Sequence, residues 1–208
     1  MTRFVVSGTD TDVGKTVFAA ALTLALSGVY WKPVQCGLEE ETDNETLRRL
    51  TGLTDDHFLP ETYRFKVPLS PHRAAELEGA AIDPRKLQLP ASDRPLIVEG
   101  AGGLMVPLTR EVLYVDVFER WRAPVIVCAR TRLGTINHTL MSLEALRRRS
   151  IPVAGVAFIG AENADSERTI VDIARVRRLG RLPVLERLDR DALKHAFEQN
   201  FRLADFLA

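Results

Sequence analysis

Covalent staples and binding charge are both scarce in this sequence. Cys36 and Cys128 are the only two cysteines in 208 residues, far apart and in no CxxC pattern. A reduced, cytoplasmic protein without disulfides or a zinc site is expected. The four histidines are scattered and never fall in HExxH spacing, which likewise speaks against a histidine-bound metal. Neither sign of charge is in excess, with 28 basic and 28 acidic residues, so no nucleic acid or anionic membrane is expected as a partner. The run Arg147-Arg148-Arg149 falls at the end of a helical pattern, where cations complement the macrodipole. Long apolar runs are missing too. The longest, VFAAALTLAL, is interrupted by Thr23 and is far too short to span a bilayer. The N-terminus has no charged segment leading into an apolar one, so a secretory signal is not expected.

What is present is a repeating alternation. RFVVSG (3–8), VYWKPVQ (29–35), PLIVEGAGG (95–103), PVIVCAR (124–130), PVAGVAFIG (152–160) and PVLERL (183–188) read as strands. Between them, TVFAAALTLAL, a segment near 43–51, VDVFERW, INHTLMSLEALRRR, SERTIVDIARVRRL and RDALKHAFEQ carry helical periodicity. Strand–helix alternation of this kind predicts a single α/β domain over residues 1–208. Its mainly parallel sheet would be flanked by helices on both faces. Residues 53–94 are rich in proline and charge and are read as loops over the sheet edge. In such a sheet the ligand sits beyond the carboxyl ends of the strands.

The first of those ends carries GTDTDVGKT, residues 8–16. Gly14-Lys15-Thr16 follows a strand and opens a helix, the context a phosphate loop requires. Backbone N–H groups at the helix start would cradle phosphates. Lys15 would reach the β- and γ-phosphates, and the Thr16 hydroxyl would bind Mg²⁺. Gly8 and Gly14 are one residue too far apart for the strict motif, which puts Thr9 where glycine is expected. No NKxD tetrad occurs, and Met105 spoils a dinucleotide fingerprint at GAGGLM. Two aspartates in an anion-binding loop need a reason. Asp12 is read as facing a cation or a substrate amine, and Asp10 as a turn former bonding its own backbone.

Three further positions could complete a metal and phosphate site. Glu99 closes the apolar run LIVEG, so it is either solvated or meets a cation such as Mg²⁺. Asp43 lies between Thr42 and Glu45, whose spacing is that of a capping box, so it reads equally as a helix start or a metal ligand. Lys32 in YWKPVQCG is either a snorkelling surface residue or a fixed charge facing the phosphates.

GTDTDVGKT, WKPVQCG, SPHRAAELEG, VEGAGGLMVPL and RLGTINH occur in the order seen in the dethiobiotin synthetase family, which this chain resembles from residue 8 to about residue 138. The resemblance implies a P-loop fold of the nitrogenase-iron-protein-like branch, a homodimer, and ATP-dependent closure of a cyclic urea from 7,8-diaminopelargonic acid and CO₂. A carbamate would attack the γ-phosphate, and the second amine would then expel phosphate. Carried over, Lys15, Lys32 and Thr11 are catalytic, and Thr16, Asp43 and Glu99 hold Mg²⁺. Asp12, Val13, Gly14, Lys15, Thr16, Val17, Asp43, Glu99, Gly100, Ala101, Gly102 and Pro183 would surround the nucleotide. Cys36, Ser70, Pro71, Gly134, Thr135 and Asn137 would contact the substrate, the last three on behalf of the neighbouring subunit.

Departures from the family pattern are specific. Asp12 replaces a commoner glutamate, Cys36 a serine or threonine, Ile159 the adenine-reading asparagine, and Arg181 the acid of the base-side turn. The connection LSGVYWKPV is shorter than usual. Two rival readings fit less well. A partitioning-type switch ATPase would carry a lysine early in the loop, where Thr9-Asp10-Thr11 stand, and a cobyrinic-acid-type ligase would bring an amidotransferase domain. If Asp12 faces the diamine, Asp12→Ala weakens diamine use more than nucleotide binding, and equal losses in the two titrations would contradict that placement.

Overall fold

The computed structural model describes residues 2–207. β1 (Arg3–Gly8) is buried from Phe4 onward, and the pleat sends Phe4 and Val6 to one face and Val5 to the other. Around it forms a seven-stranded sheet in the order β4-β2-β6-β1-β7-β8-β9. Its members are β2 (Val29–Trp31), β4 (Phe58–Leu59), β6 (Leu96–Gly103), β7 (Val125–Arg130), β8 (Val153–Ile159) and β9 (Arg178–Leu182). Every ladder between these strands is parallel. All the strands therefore end on one edge of the sheet, and the register Val6↔Glu99 and Trp31↔Val98 brings the ends of β1, β6 and β2 side by side.

Helices cover both faces, as a doubly buried parallel sheet requires. On one face α1 (Lys15–Leu26), α2 (Asp43–Thr51) and α7 (Arg190–Asn200) pack Phe18, Leu22, Leu47, Leu50 and Phe197 against the sheet. On the other, α4 (Tyr114–Trp121), α5 (Thr135–Arg148) and α6 (Ala164–Ala174) contribute Tyr114, Phe118, Leu143, Leu146 and Ile170. The abbreviated connection after α1 is explained by its geometry. Ser27 caps the helix with φ 46°, and Gly28 passes so close to β6 that a Cβ there would meet Ile97 Cδ1 at 2.5 Å. Only glycine lets so short a link close.

Three segments differ from the sequence reading. VYWKPVQ is two strands rather than one: Pro33 ends β2, and β3 (Val34–Cys36) turns away to pair with β5 (Tyr63–Phe65) in a second small sheet. The stretch 53–94 is not all loop, since β4 forms the sheet edge there, β5 follows, and α3 (Pro71–Leu77) starts at Pro71. At the C-terminal side, PVLERL (183–188) is not a strand. α6 stops at Ala174 because Arg175 adopts a left-handed cap with φ 48°, and the arginine-rich RLGRL beyond it is the strand. As the edge strand it keeps Arg178 exposed, a pattern that hides it from hydrophobic periodicity.

α2 opens with a complete capping box: Thr42 accepts from the Glu45 amide, and the Glu45 carboxylate accepts from the Thr42 amide at 2.7 Å. Because that box fixes the helix entry beside the strand ends, Thr42→Ala should cost about 1 kcal/mol of stability, read as a lower urea midpoint with an unchanged slope.

Candidate active site

The turn from β1 into α1 is tight and built on unusual backbone angles. Asp12 sits at φ 53° and Gly14 at φ 93°, and a Cβ on Gly14 would lie 2.8 Å from Ile159 Cγ2. Aspartate tolerates the left-handed region better than most residues, which is a second reason for Asp12. Asp12→Asn is consequently a cleaner companion to the alanine variant. Asp10 accepts from the Thr11 amide at 2.8 Å, the turn bond expected of it. The first amides of α1 have no intrahelical acceptor, and no acidic residue occupies the first turn, so the helix start presents donors and a positive dipole end. Lys15 is 6% exposed and its ammonium donates to the Asp10 carbonyl at 2.9 Å. Burial, then the nearby Lys32, holds it below its ordinary pKa.

Beside this loop, three oxygen ligands converge. Thr16 Oγ1 lies 2.9 Å from Asp43 Oδ1 and 2.9 Å from Glu99 Oε1. Lys32 closes the group, with its Nζ 2.6 Å from Asp43 Oδ2 and 3.1 Å from Glu99 Oε1. It also donates to the Gly100 carbonyl at 3.3 Å. Lys32 is 4% exposed and Glu99 1% exposed, which decides both alternatives left open by sequence: neither is a surface residue. Asp43 is the first residue of α2 while Thr42 is its cap, so the cap does not compete for the Asp43 carboxylate.

Electrostatics follow from that burial. Desolvation alone would depress Lys32, but Asp43 and Glu99 outweigh it and hold the ammonium protonated. Glu99 is raised by burial despite Lys32, whereas Asp43 is lowered because Lys32 and Thr16 overcome its desolvation. Burial pushes the Cys36 thiol up to about 11 against the pull of Lys32, so Cys36 is a neutral thiol.

The glycines of β6 bring its end against the loop. A Cβ on Gly102 (φ 63°) would lie 3.4 Å from Thr11 Oγ1, and one on Gly103 3.4 Å from the Gly8 carbonyl. Gly102 and Gly103 thus bring the end of β6 against Thr11 and the Gly8 carbonyl, Gly100 faces Tyr114 and Phe118, and Val13 and Val17 pack with the core on the α1 face while Ala101 packs with the core on the other. Cys36 ends β3, and the turn at Gly37 packs on Pro68, two residues before Ser70 and Pro71 at the start of α3. Ser70 Oγ lies 3.1 Å from His72 Nδ1. Gly134, Thr135 and Asn137 lie at the start of α5, where Thr135 is buried, Asn137 is exposed and a Gly134 side chain would meet nothing within 4 Å among the described residues. Pro183 follows β9 and is half-buried.

Sequence reasoning missed several supports. Tyr30 donates to Glu99 Oε2 at 2.9 Å. Positions 30 and 32 share a strand face, so alternation could have found it. Gln35 accepts from the Asp43 amide at 3.3 Å, and Arg130, at the end of β7, donates to the Thr11 carbonyl at 2.6 Å. No local signal announces those two. Arg181 is engaged with the Gly160 carbonyl at 3.1 Å and with Glu167.

The oxygen set suits a hard cation that keeps several waters and takes only one or two carboxylates, as magnesium does. Among the described residues no cluster of three histidine, cysteine or acidic side chains that could hold a metal ion occurs.

Comparison with known proteins follows the same lines. The AAA domain family matches residues 2–192. The ATP-dependent dethiobiotin synthetase BioD of Rhodopseudomonas palustris strain BisB5 is 63% identical over 206 residues, covering 99% of this chain and 97% of the relative. That of Agrobacterium fabrum strain C58 is 62% identical over 205 residues, covering 99% and 97%. Among solved structures, the cell-division ATPase MinD of Pyrococcus furiosus superposes with TM-score 0.55 at 14% identity, covering 96% of this chain and 99% of that one. A ParA family ATPase from Chlorobium tepidum gives 0.52 at 14%, covering 95% and 91%. At that identity the latter two bear on the fold alone. No helix is long and apolar enough to cross a membrane among the described residues.

Lys32→Met should destabilise the fold by about 3–5 kcal/mol, because it leaves two buried carboxylates without their cation. Glu99, already raised, then takes up a proton in the native state at a higher pH than in the unfolded chain. The variant should therefore regain stability as pH falls from about 8 to about 5, and urea titrations at the two pH values check the sign.

Proposed function

The chain belongs to the dethiobiotin synthetase family, and on that premise we propose that it closes the cyclic urea of dethiobiotin from 7,8-diaminopelargonic acid, CO₂ and ATP. The observation that carries this reading is the convergence of Thr16, Asp43, Glu99 and Lys32 at the mouth of the phosphate loop. One substrate amine adds CO₂ to give a carbamate and releases a proton. A carbamate oxygen attacks the γ-phosphorus, the bond to the β-phosphate oxygen breaks, and ADP leaves. The second amine attacks the resulting carbamic-phosphoric anhydride, expels phosphate and closes the ring.

Such phosphoryl transfer asks for alignment and charge neutralisation more than for a protein nucleophile. Thr16, Asp43 and Glu99 would hold Mg²⁺, which neutralises the phosphate charge when bound. Lys15 holds the β- and γ-phosphates from its buried seat. Lys32, kept protonated, meets the negative charge shared by carbamate and transferred phosphoryl group. Thr11 stands beside the same locus on the Gly102 side.

Asp12 is tolerated beside phosphate because Lys15 and Lys32 outweigh it. The neutral Cys36 thiol and Ser70-Pro71 form the substrate side. Gly134, Thr135 and Asn137, at the start of α5, serve the substrate carboxylate of a second copy in a homodimer. Pro183 borders the base, and the enzyme works in the cytoplasm. Ile159 packs on Gly14 and cannot donate to or accept from a base as an amide would, so the base is chosen weakly.

Mass analysis of product from diaminopelargonate, bicarbonate, Mg²⁺ and ATP, with each component omitted in turn, tests the reaction. Product should require all of them, and product without ATP or without the diamine would refute it. With CTP replacing ATP, turnover should stay within about tenfold, whereas a much larger preference for ATP would contradict weak base selection.

A further inference from the structure

One buried hydroxyl beside this site is given no part in that chemistry. Tyr114 opens α4, is fully buried, and packs its ring at a tilt against Phe118, 4.9 Å between centroids. Its Oη has no hydrogen-bond partner among the described residues. Burying a phenol that way is costly unless a partner arrives in some state of the protein. The ring lies against Gly100, where a Cβ would come within 3.4 Å of Tyr114 Cε1. Lys32 already donates to the carbonyl of that same Gly100, so the phenol's ring and the ammonium share one backbone neighbour.

The acceptors that hold Lys32 are the carboxylates of Asp43 and Glu99, two of the three ligands assigned to Mg²⁺. On Asp43 the two are already divided, Oδ1 facing Thr16 and Oδ2 facing Lys32, but Glu99 Oε1 serves both Thr16 and Lys32. A divalent cation taken up beside Thr16 competes with the ammonium for that oxygen and repels it, and a buried ammonium that is pushed away needs another acceptor. We propose that Tyr114 is a positioning residue for Lys32: its hydroxyl oxygen is the second seat of the ammonium, taken when a divalent cation claims Asp43 and Glu99. The Gly100 carbonyl stays bonded to Lys32 in both positions and acts as the pivot. The charged lysine is thereby kept at the strand end, facing the substrate side marked by Cys36. This inference rests on the metal reading given above.

Manganese titration without nucleotide, following free Mn²⁺ by electron paramagnetic resonance, reads the exchange directly. Tyr114→Phe should bind Mn²⁺ about tenfold more weakly, because the displaced ammonium loses a charge-assisted hydrogen bond. Lys32→Met should bind it about tenfold more tightly, because a competing cation is gone. In turnover, Tyr114→Phe should lower kcat with little change in KM for ATP. A residue that only packs would lower the melting temperature and leave Mn²⁺ affinity where it was, and wild-type affinity in Tyr114→Phe overturns the proposal. Wild-type protein that binds no Mn²⁺, either alone or with a non-hydrolysable ATP analogue, would instead refute the metal reading, and this inference with it. Should Tyr114→Phe not fold, fluorotyrosine incorporation decides: the Tyr114 fluorine resonance should shift on adding Mg²⁺, and an unmoved signal overturns the proposal.

Discussion

The ammonium of Lys32, lodged between the carboxylates of Asp43 and Glu99, is the interaction on which the site depends. Each partner comes from a different element: β2's end, the first turn of α2 and the end of β6. Without the lysine, two acids would face one another in a region shielded from water. Without the acids, the lysine would be a buried charge with one carbonyl for company. Glu99 could not occupy its place on desolvation grounds alone, and Tyr30 and Thr16 supply its remaining hydrogen bonds.

The fold serves that contact. Parallel pairing puts every strand's carboxyl end on one edge, so residues separated by 83 positions, such as Thr16 and Glu99, meet at hydrogen-bond distance. The phosphate loop is then bounded by glycines of β6 on one side, Ile159 of β8 on another and Arg130 beneath Thr11. Left-handed backbone at Asp12 and Gly14 keeps the loop compact while leaving the α1 amides free for an anion.

Much of this was legible in the sequence, and unevenly so. β1, α1, β6, β7 and β8 announce themselves because two-sided burial demands continuous apolar runs. The phosphate loop shows because Gly14-Lys15-Thr16 must sit between a strand and a helix. β9 did not show, since an edge strand built from Arg178, Gly180 and Arg181 carries no apolar alternation. Pro33 divides a run that looked continuous, and nothing in local composition says that β3 leaves for a second sheet. For Asp43 and Lys32 the sequence left two readings each. Only long-range pairing chooses between them, because burial is a property of the neighbours rather than of the residue. Tyr30 was missed although the two-residue period could have found it; Arg130 and Gln35 belong to contacts that no periodicity encodes.

A crystal of the protein with Mn²⁺ and a non-hydrolysable ATP analogue tests the central claim most directly. Anomalous scattering should place the metal in direct contact with Thr16 Oγ1 and at least one of Asp43 and Glu99, with Lys32 displaced from both acids. Metal bound elsewhere, or Lys32 still bridging Asp43 and Glu99 beside a filled phosphate loop, would contradict it.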